Sequence, residues 1–140
     1  VYEPSPFDTI RDQVEQYEAT DGTQGGTLQG RPLVILTTRG ARTRLIRKTP
    51  LLRIRYGPAY VVVASYGGAP THPAWYHNLV ADPLVWLQDG AERMRLLARE
   101  VTSEERAPAW KAADAVWPDL SSYRRSAAPR EIPLILLHSA

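Results

Sequence analysis

A chain of 140 residues with 44% hydrophobic residues and a formal charge of +2 is one globular domain, long enough to bury about 70% of the surface its unfolded form exposes. It contains no cysteine, which excludes a disulfide framework, a thiolate nucleophile and a Cys-ligated metal and fits a cytoplasmic location. The longest apolar runs, residues 60–64 and 132–137, are strand-length, so none is a transmembrane segment, while peripheral membrane association stays compatible.

Ser5 and Pro6, followed by Phe7, Ile10, Val14 and Tyr17, predict an N-cap, a first-turn Pro and an amphipathic helix. The glycines between Asp21 and Gly26 end it in an irregular loop, so residues 1–24 read as a helix and linker and 25–140 as the main domain. From Pro32 the period changes: Leu33 to Thr38 predicts a strand, turned at Arg39 to Arg42. Leu45 to Arg55 returns as a second strand, Gly57-Pro58 turns again, and Tyr60 to Ser65 is a third, so the expectation is an antiparallel meander. A short helix follows Pro73 and closes at Asp82-Pro83. Leu84 to Gln88 and Glu92 to Val101 predict a hairpin about Asp89-Gly90.

Thr102 and Glu105 have the spacing of a capping box, opening a helix that ends near Trp117-Pro118. Asp119 to Ser126 adds a helical turn, and Ile132 to His138 supplies the last strand. Six strands in hairpins, with helices at the ends and in crossovers, predict an α+β fold built on a small antiparallel barrel.

Three constellations carry chemistry. Arg39, Arg42, Arg44, Arg47, Lys48, Arg53 and Arg55 fall in one hairpin with no acidic residue between them. Such cations guard an edge strand against aggregation, and several guanidinium forks in one groove also hold a polyanion. Along the second strand neither alternating face is cleanly apolar, and Pro50 suits an edge. Ser65-Tyr66-Gly67-Gly68, at the end of the most apolar strand, is either a plain turn or a place where backbone N–H groups and a hydroxyl approach a ligand. It is neither a phosphate loop with Lys-Ser/Thr nor a Gly-x-Ser-x-Gly elbow. Trp75 and Asn78 share a helical face with Leu79, and an Asn there suggests a polar partner. His72 and His77 are five residues apart and share no metal-ligand spacing, so no metal is expected. The acidic residues are dispersed, with no hydrolase-type pair.

Ser65-Tyr66-Gly67-Gly68 followed by Pro73-Ala74-Trp75-Tyr76-His77-Asn78-Leu79 and Pro83 resembles the actinobacterial deazaflavin-dependent nitroreductase family. The resemblance runs from about Gly25 to the C-terminus and implies a split β-barrel of the flavin-reductase and pyridoxamine-phosphate-oxidase kind with peripheral helices. It implies coenzyme F420 as cofactor, a small-molecule electron acceptor as partner, no nucleic acid, and is compatible with a homodimer. Carried over residue by residue, Ala41, Arg42 and Thr43 hold the cofactor tail, and Arg47, with Lys48 beside it, meets the phosphate. Thr49, Pro50, Leu51 and Leu52 line the ribityl and ring region; Val63, Ala64, Ser65 and Tyr66 face the ring edge; Ala74, Trp75, Tyr76, His77 and Asn78 close the other wall. Trp117, Leu120 and Tyr123 form the acceptor pocket, and Ser65 and Tyr123 are the candidate catalytic groups, with water as the other proton source.

The chain departs from the family at Gly40-Ala41-Arg42-Thr43-Arg44, at Thr49 where an Asn is common, and at Leu120 where a Tyr closes the pocket. The implied activity is hydride transfer from F420H2 to an enone, quinone or nitro compound. A flavin mononucleotide oxidoreductase on the same barrel and a basic single-stranded nucleic-acid binder using Tyr56, Tyr66, Trp75 and Tyr76 remain alternatives.

Overall fold

The computed structural model describes residues 1–140. Helix α1 (Asp8–Ala19) precedes strands β1 (Thr27–Leu28), β2 (Arg31–Arg39), β3 (Ile46–Leu52), β4 (Arg55–Tyr56) and β5 (Ala59–Val63). Helix α2 (Ala74–Ala81), strands β6 (Leu84–Asp89) and β7 (Glu92–Glu100), helices α3 (Ser103–Val116) and α4 (Leu120–Ala127) and strand β8 (Leu134–Ser139) complete the chain. No helix is long and apolar enough to cross a membrane.

Local chemistry sets most of these boundaries. In α1 the buried stripe is Val14 and Tyr17, but the N-cap is Phe7 and not Ser5. The Ser5 hydroxyl accepts from the Phe7 N–H at 3.2 Å, which turns the chain before the helix and leaves Pro6 outside it. Thr102 and Glu105 close the reciprocal capping box at the start of α3. The added turn after Trp117 is the full helix α4, anchored by buried Leu120 and Ala127. Strand β8 begins two residues later than Ile132, since Pro133 has no N–H to give to a ladder.

The strands run antiparallel in the order β1-β2-β6-β7-β8-β5-β4, with β3 on β2. The expected meander is therefore broken: β3 does not pair with β5, which lies between β8 and β4. The cause is a change of partner at Arg53 and Ile54. The Arg53 N–H donates to Pro32 O at 3.0 Å, whereas Ile54 O accepts from the Val61 N–H at 2.9 Å. One bent strand thus belongs to both ends of the sheet, and this curls it into the split barrel of the expected α+β fold. The second hairpin also shifts by one residue. Asp89 pairs with Glu92, so the loop is Gly90-Ala91, with Gly90 at φ 61 in the first central position. Asp89 stays in the strand because its carboxylate is held across the barrel by Arg53 and Tyr60.

The barrel interior is filled by alternate residues of its strands, among them Val34, Leu36, Val62, Leu87, Ile135 and Leu137, with Trp75 and Leu79 of α2 plugging one end. Helices α3 and α4 cover a second cluster around Ile54, Val61, Leu120 and Leu134. Helix α1 covers a third, where the Tyr17 hydroxyl lies 3.0 Å from Leu33 O and accepts from the Gly90 N–H at 2.8 Å.

Replacing Asp89 by Ala removes the acceptor of both Arg53 Nε (2.8 Å) and the Tyr60 hydroxyl (2.6 Å) at the barrel corner. The expected loss is about 1–3 kcal/mol of unfolding free energy, because buried Tyr60 and partly buried Arg53 lose their shared acceptor. Urea unfolding checks it; an unchanged midpoint would show that the corner holds without this carboxylate.

Candidate functional site

The site is assembled from α2 upward. Pro73 precedes the helix, which turns Trp75, Asn78 and Leu79 into the barrel. Buried Asn78 finds the polar partners its position implies: its Nδ2 donates to Thr38 Oγ1 at 3.2 Å, and its Oδ1 accepts from the Ala41 N–H at 3.0 Å. The helix therefore fixes the turn between β2 and β3. That turn carries Arg42 and Thr43, and with Arg47, Ala74, His77 and Asn78 it lines an open groove of about 580 Å³. Arg47 donates to the Glu3 carboxylate at 2.8 Å, and Glu3 lies on the rim.

Farther along β3 lies an apolar cavity of about 200 Å³. Pro50, Leu51, Leu52 and Ile54 form one wall, Val63, Ser65 and Gly67 a second, and Trp117, Leu120 and Tyr123 a third. Its polar groups are few. Ser65 and Tyr123 are the hydroxyl-bearing residues of its lining, and Trp117, also in the lining, has its Nε1 buried with no hydrogen-bond partner. Polar groups left free at an apolar wall fit a bound molecule that carries its own acceptors.

The loop bearing Ser65 is tightly determined. Tyr66, Gly67 and Gly68 lie at φ 49, 62 and 81, three successive left-handed residues. A Cβ at Gly68 would stand 3.0 Å from Tyr123 Cα and Tyr123 O, so only glycine lets the loop close on α4. From the other side Arg130 donates to the carbonyls of Ala64, Ser65 and Ala69.

Most residues singled out from the sequence gather in these two places, and six do not. Lys48 points to the opposite face of β3, where it pairs with Glu18 at 2.5 Å and covers the Tyr2 ring. Thr49 lines neither cavity. Ala64 and Trp75 are in the barrel core. Tyr66 is 60% exposed and points out of the loop. Tyr76 hydrogen-bonds Glu100, and burial, followed by that carboxylate, pushes its hydroxyl up to about 12. Sequence reasoning missed Glu3, Ile54 and Arg130 as parts of the site, whereas Gly67, within the Ser65-Tyr66-Gly67-Gly68 motif, lines the cavity. Arg130 and Ile54 had no local signal, since their partners lie far away in the chain.

The split barrel thus carries a groove lined by Arg42 and Arg47 and, farther along β3, a separate apolar cavity. Residues 9–139 match the model of the F420H2-dependent quinone reductases, and the chain belongs to that family. An F420H2-dependent quinone reductase of Mycobacterium tuberculosis is 36% identical over 124 residues, covering 86% of this chain and 83% of that protein. A solved F420-H2 dependent reductase (FDR-A) is 39% identical, covers 77% of this chain and 95% of its own, and superposes with a TM-score of 0.71. A structure described as a domain-swapped dimer is 38% identical, with a TM-score of 0.73 over 96% of this chain and 100% of the other. A pyridoxamine 5'-phosphate oxidase relative from Listeria innocua, 10% identical with a TM-score of 0.52, shares the fold. The chain is thus an F420-dependent oxidoreductase with coenzyme F420 as its cofactor. The family agrees with the nitroreductase resemblance in fold and cofactor and differs in the acceptor it names.

Asn78→Ala strands the Ala41 N–H and the Thr38 hydroxyl and is expected to cost about 1–3 kcal/mol. Hydrogen exchange should accelerate at Ala41 and its turn; protection equal to the wild type would show that the turn does not depend on the helix.

Proposed function

We propose that the chain reduces a quinone, with the cofactor tail in the basic groove and the reacting ring in the apolar cavity. The observation that carries this reading is that one strand serves both places. Arg47 of β3 lies at the groove and Leu51 at the cavity, about 13 Å of extended chain apart. The residues fit the group: Arg42 and Arg47 suit phosphate and carboxylate oxygens, Thr43 adds a hydroxyl, and the apolar wall with its free donors suits a flat ring bearing carbonyls. When bound, F420H2 supplies a hydride, and the quinone becomes a quinol by also taking up a proton.

The chain's own residues do the rest. Pro50, Leu51, Leu52 and Leu120 exclude water from the cavity, which strengthens the electrostatics inside it. Ser65, in the cavity lining, donates its hydroxyl at the ring edge, and Tyr123 or water delivers the proton to the acceptor; the presence of both residues in the lining supports these roles. Glu3 competes with an incoming anion for Arg47. The domain-swapped relative at 38% identity supports a homodimer for this chain. Leu120, buried and without a hydroxyl, favours apolar quinones and enones over nitroimidazoles.

Titration of the protein into F420, followed by fluorescence and compared with flavin mononucleotide, tests the reading. F420 should bind the tighter, and tighter binding of the flavin would overturn it. Arg47→Ala should raise the F420 Kd roughly 10- to 150-fold, the equivalent of about 1.5–3 kcal/mol for a charge-assisted contact. Arg55→Ala should change it much less, since Arg55 spends its guanidinium on Tyr60 outside the groove. Equal losses would mean diffuse attraction and no defined phosphate site. For the acceptor, Leu120→Tyr should raise nitroimidazole reduction relative to menadione reduction; an unchanged ratio would place acceptor choice elsewhere in the cavity.

A further inference from the structure

The loop Ser65 to Gly68 holds one residue, Tyr66, in a conformation a bulky side chain does not prefer. Tyr66 at φ 49 is a bulky residue in the left-handed region, and two more left-handed residues follow. Glycine adopts that region freely, so the strained residue is Tyr66, which persists there only when its surroundings over-determine it. On one side the backbone of α4 does so through Gly68. On the other, one side chain reaches across from beyond α4. Arg130 Nε donates to Ala69 O at 2.9 Å, Nη1 to Ala64 O at 3.1 Å and Nη2 to Ser65 O at 2.8 Å. Nη1 also meets His72 Nδ1 at 2.8 Å. A guanidinium can only donate, so His72 Nδ1 is the acceptor and the ring's proton sits on Nε2. The planar fork thus grips the backbone before and after the left-handed residues, and a lysine cannot reproduce that with one point charge. No carboxylate pairs with Arg130, so carbonyl oxygens and one imidazole nitrogen are its partners.

We propose that Arg130, oriented by neutral His72, is a positioning residue that holds the Ser65 hydroxyl at the lining of the apolar cavity for hydride transfer. This rests on the reading of that cavity as the place where the ring and acceptor react. The groove that holds the tail is formed by other residues, so the clamp acts on turnover and not on cofactor affinity.

The arrangement also has a pH dependence with a definite sign. Burial, then Arg130 and His77, keep the His72 pKa below its ordinary value, against the pull of Glu100; the Tyr76 ring stacks beside it and stays un-ionised. A base whose folded pKa is depressed contributes fully above its unfolded value of about 6.5 and loses that contribution as pH falls through the folded value. Protonation would remove the acceptor and set a second cation against Arg130.

The test uses the intact protein with F420H2 and menadione, reading kcat at saturation, the F420 Kd by fluorescence and the thermal midpoint. Arg130→Lys should lower kcat about tenfold or more while the F420 Kd moves less than about twofold. Ser65→Ala should also lower kcat, and the double variant should lose no more than the worse single one, because both act through one hydroxyl. Wild-type kcat, normalised to its plateau, should fall on an acid limb below about pH 6.5. His72→Gln should flatten that limb, since its amide oxygen accepts from Arg130 at any pH.

A lowered thermal midpoint with kcat intact in Arg130→Lys would overturn the inference and leave the clamp structural. So would losses that multiply in the double variant. Full turnover in Ser65→Ala would remove the reading of Ser65 itself, and the inference with it; loss in Ser65→Ala alone would remove only the role of Arg130. If Arg130→Lys does not fold, the His72→Gln profile decides, and an acid limb unchanged from wild type overturns the proposal.

Discussion

The corner at Arg53 and Ile54 is the constraint on which the molecule depends. There one strand leaves β2 and joins β5, and the sheet closes because a single piece of chain belongs to both its ends. Ile54 is buried among the residues under α3 and α4, while Arg53 turns outward to Asp89, which also takes the Tyr60 hydroxyl. An apolar side chain going in and a paired charge going out give the bend its direction. The walls of the apolar cavity face each other only because of this bend, since Pro50 to Ile54 and Val63 to Ser65 would otherwise diverge along separate strands.

Two kinds of environment then sit at opposite ends of β3. The groove is cationic and open, where guanidinium groups keep much of their hydration and select anions by geometry. The cavity is apolar, and the few hydroxyl and indole donors at its wall gain strength from the low local polarity. Asn78 links the two levels of organisation, spending both halves of its amide on Thr38 and Ala41 so that α2 sets where the cationic turn lies. The same economy governs the Ser65 loop, whose unfavourable backbone is gripped from α4 by close contact and from Arg130 by hydrogen bonds.

Local patterns were legible wherever the physics was local. The capping box at Thr102 and Glu105, the β-branched strands, and the inward face of Trp75, Asn78 and Leu79 all depend on residues a few positions apart. The helix start at Ser5 misled because a hydroxyl can serve the adjacent turn as readily as a helix. Asp89 misled in the same way: its side chain suits a turn, but a distant arginine and tyrosine hold it in the strand. Lys48 belonged to the run of cations by sequence, yet strand alternation sends it to Glu18 on the far face, while Arg47 remains at the groove.

The sequence by itself determined the family, the α+β class, the cofactor and the concentration of positive charge beside β3, because motif and composition are properties of neighbouring residues. Tertiary structure alone decided which cations face one groove, how the sheet closes and what fixes the Ser65 loop. These depend on partners such as Arg53 with Asp89, 36 residues apart, and Arg130 with Ser65, 65 apart. Contacts at that separation leave no periodic trace along the chain, and only the closed barrel brings them within reach.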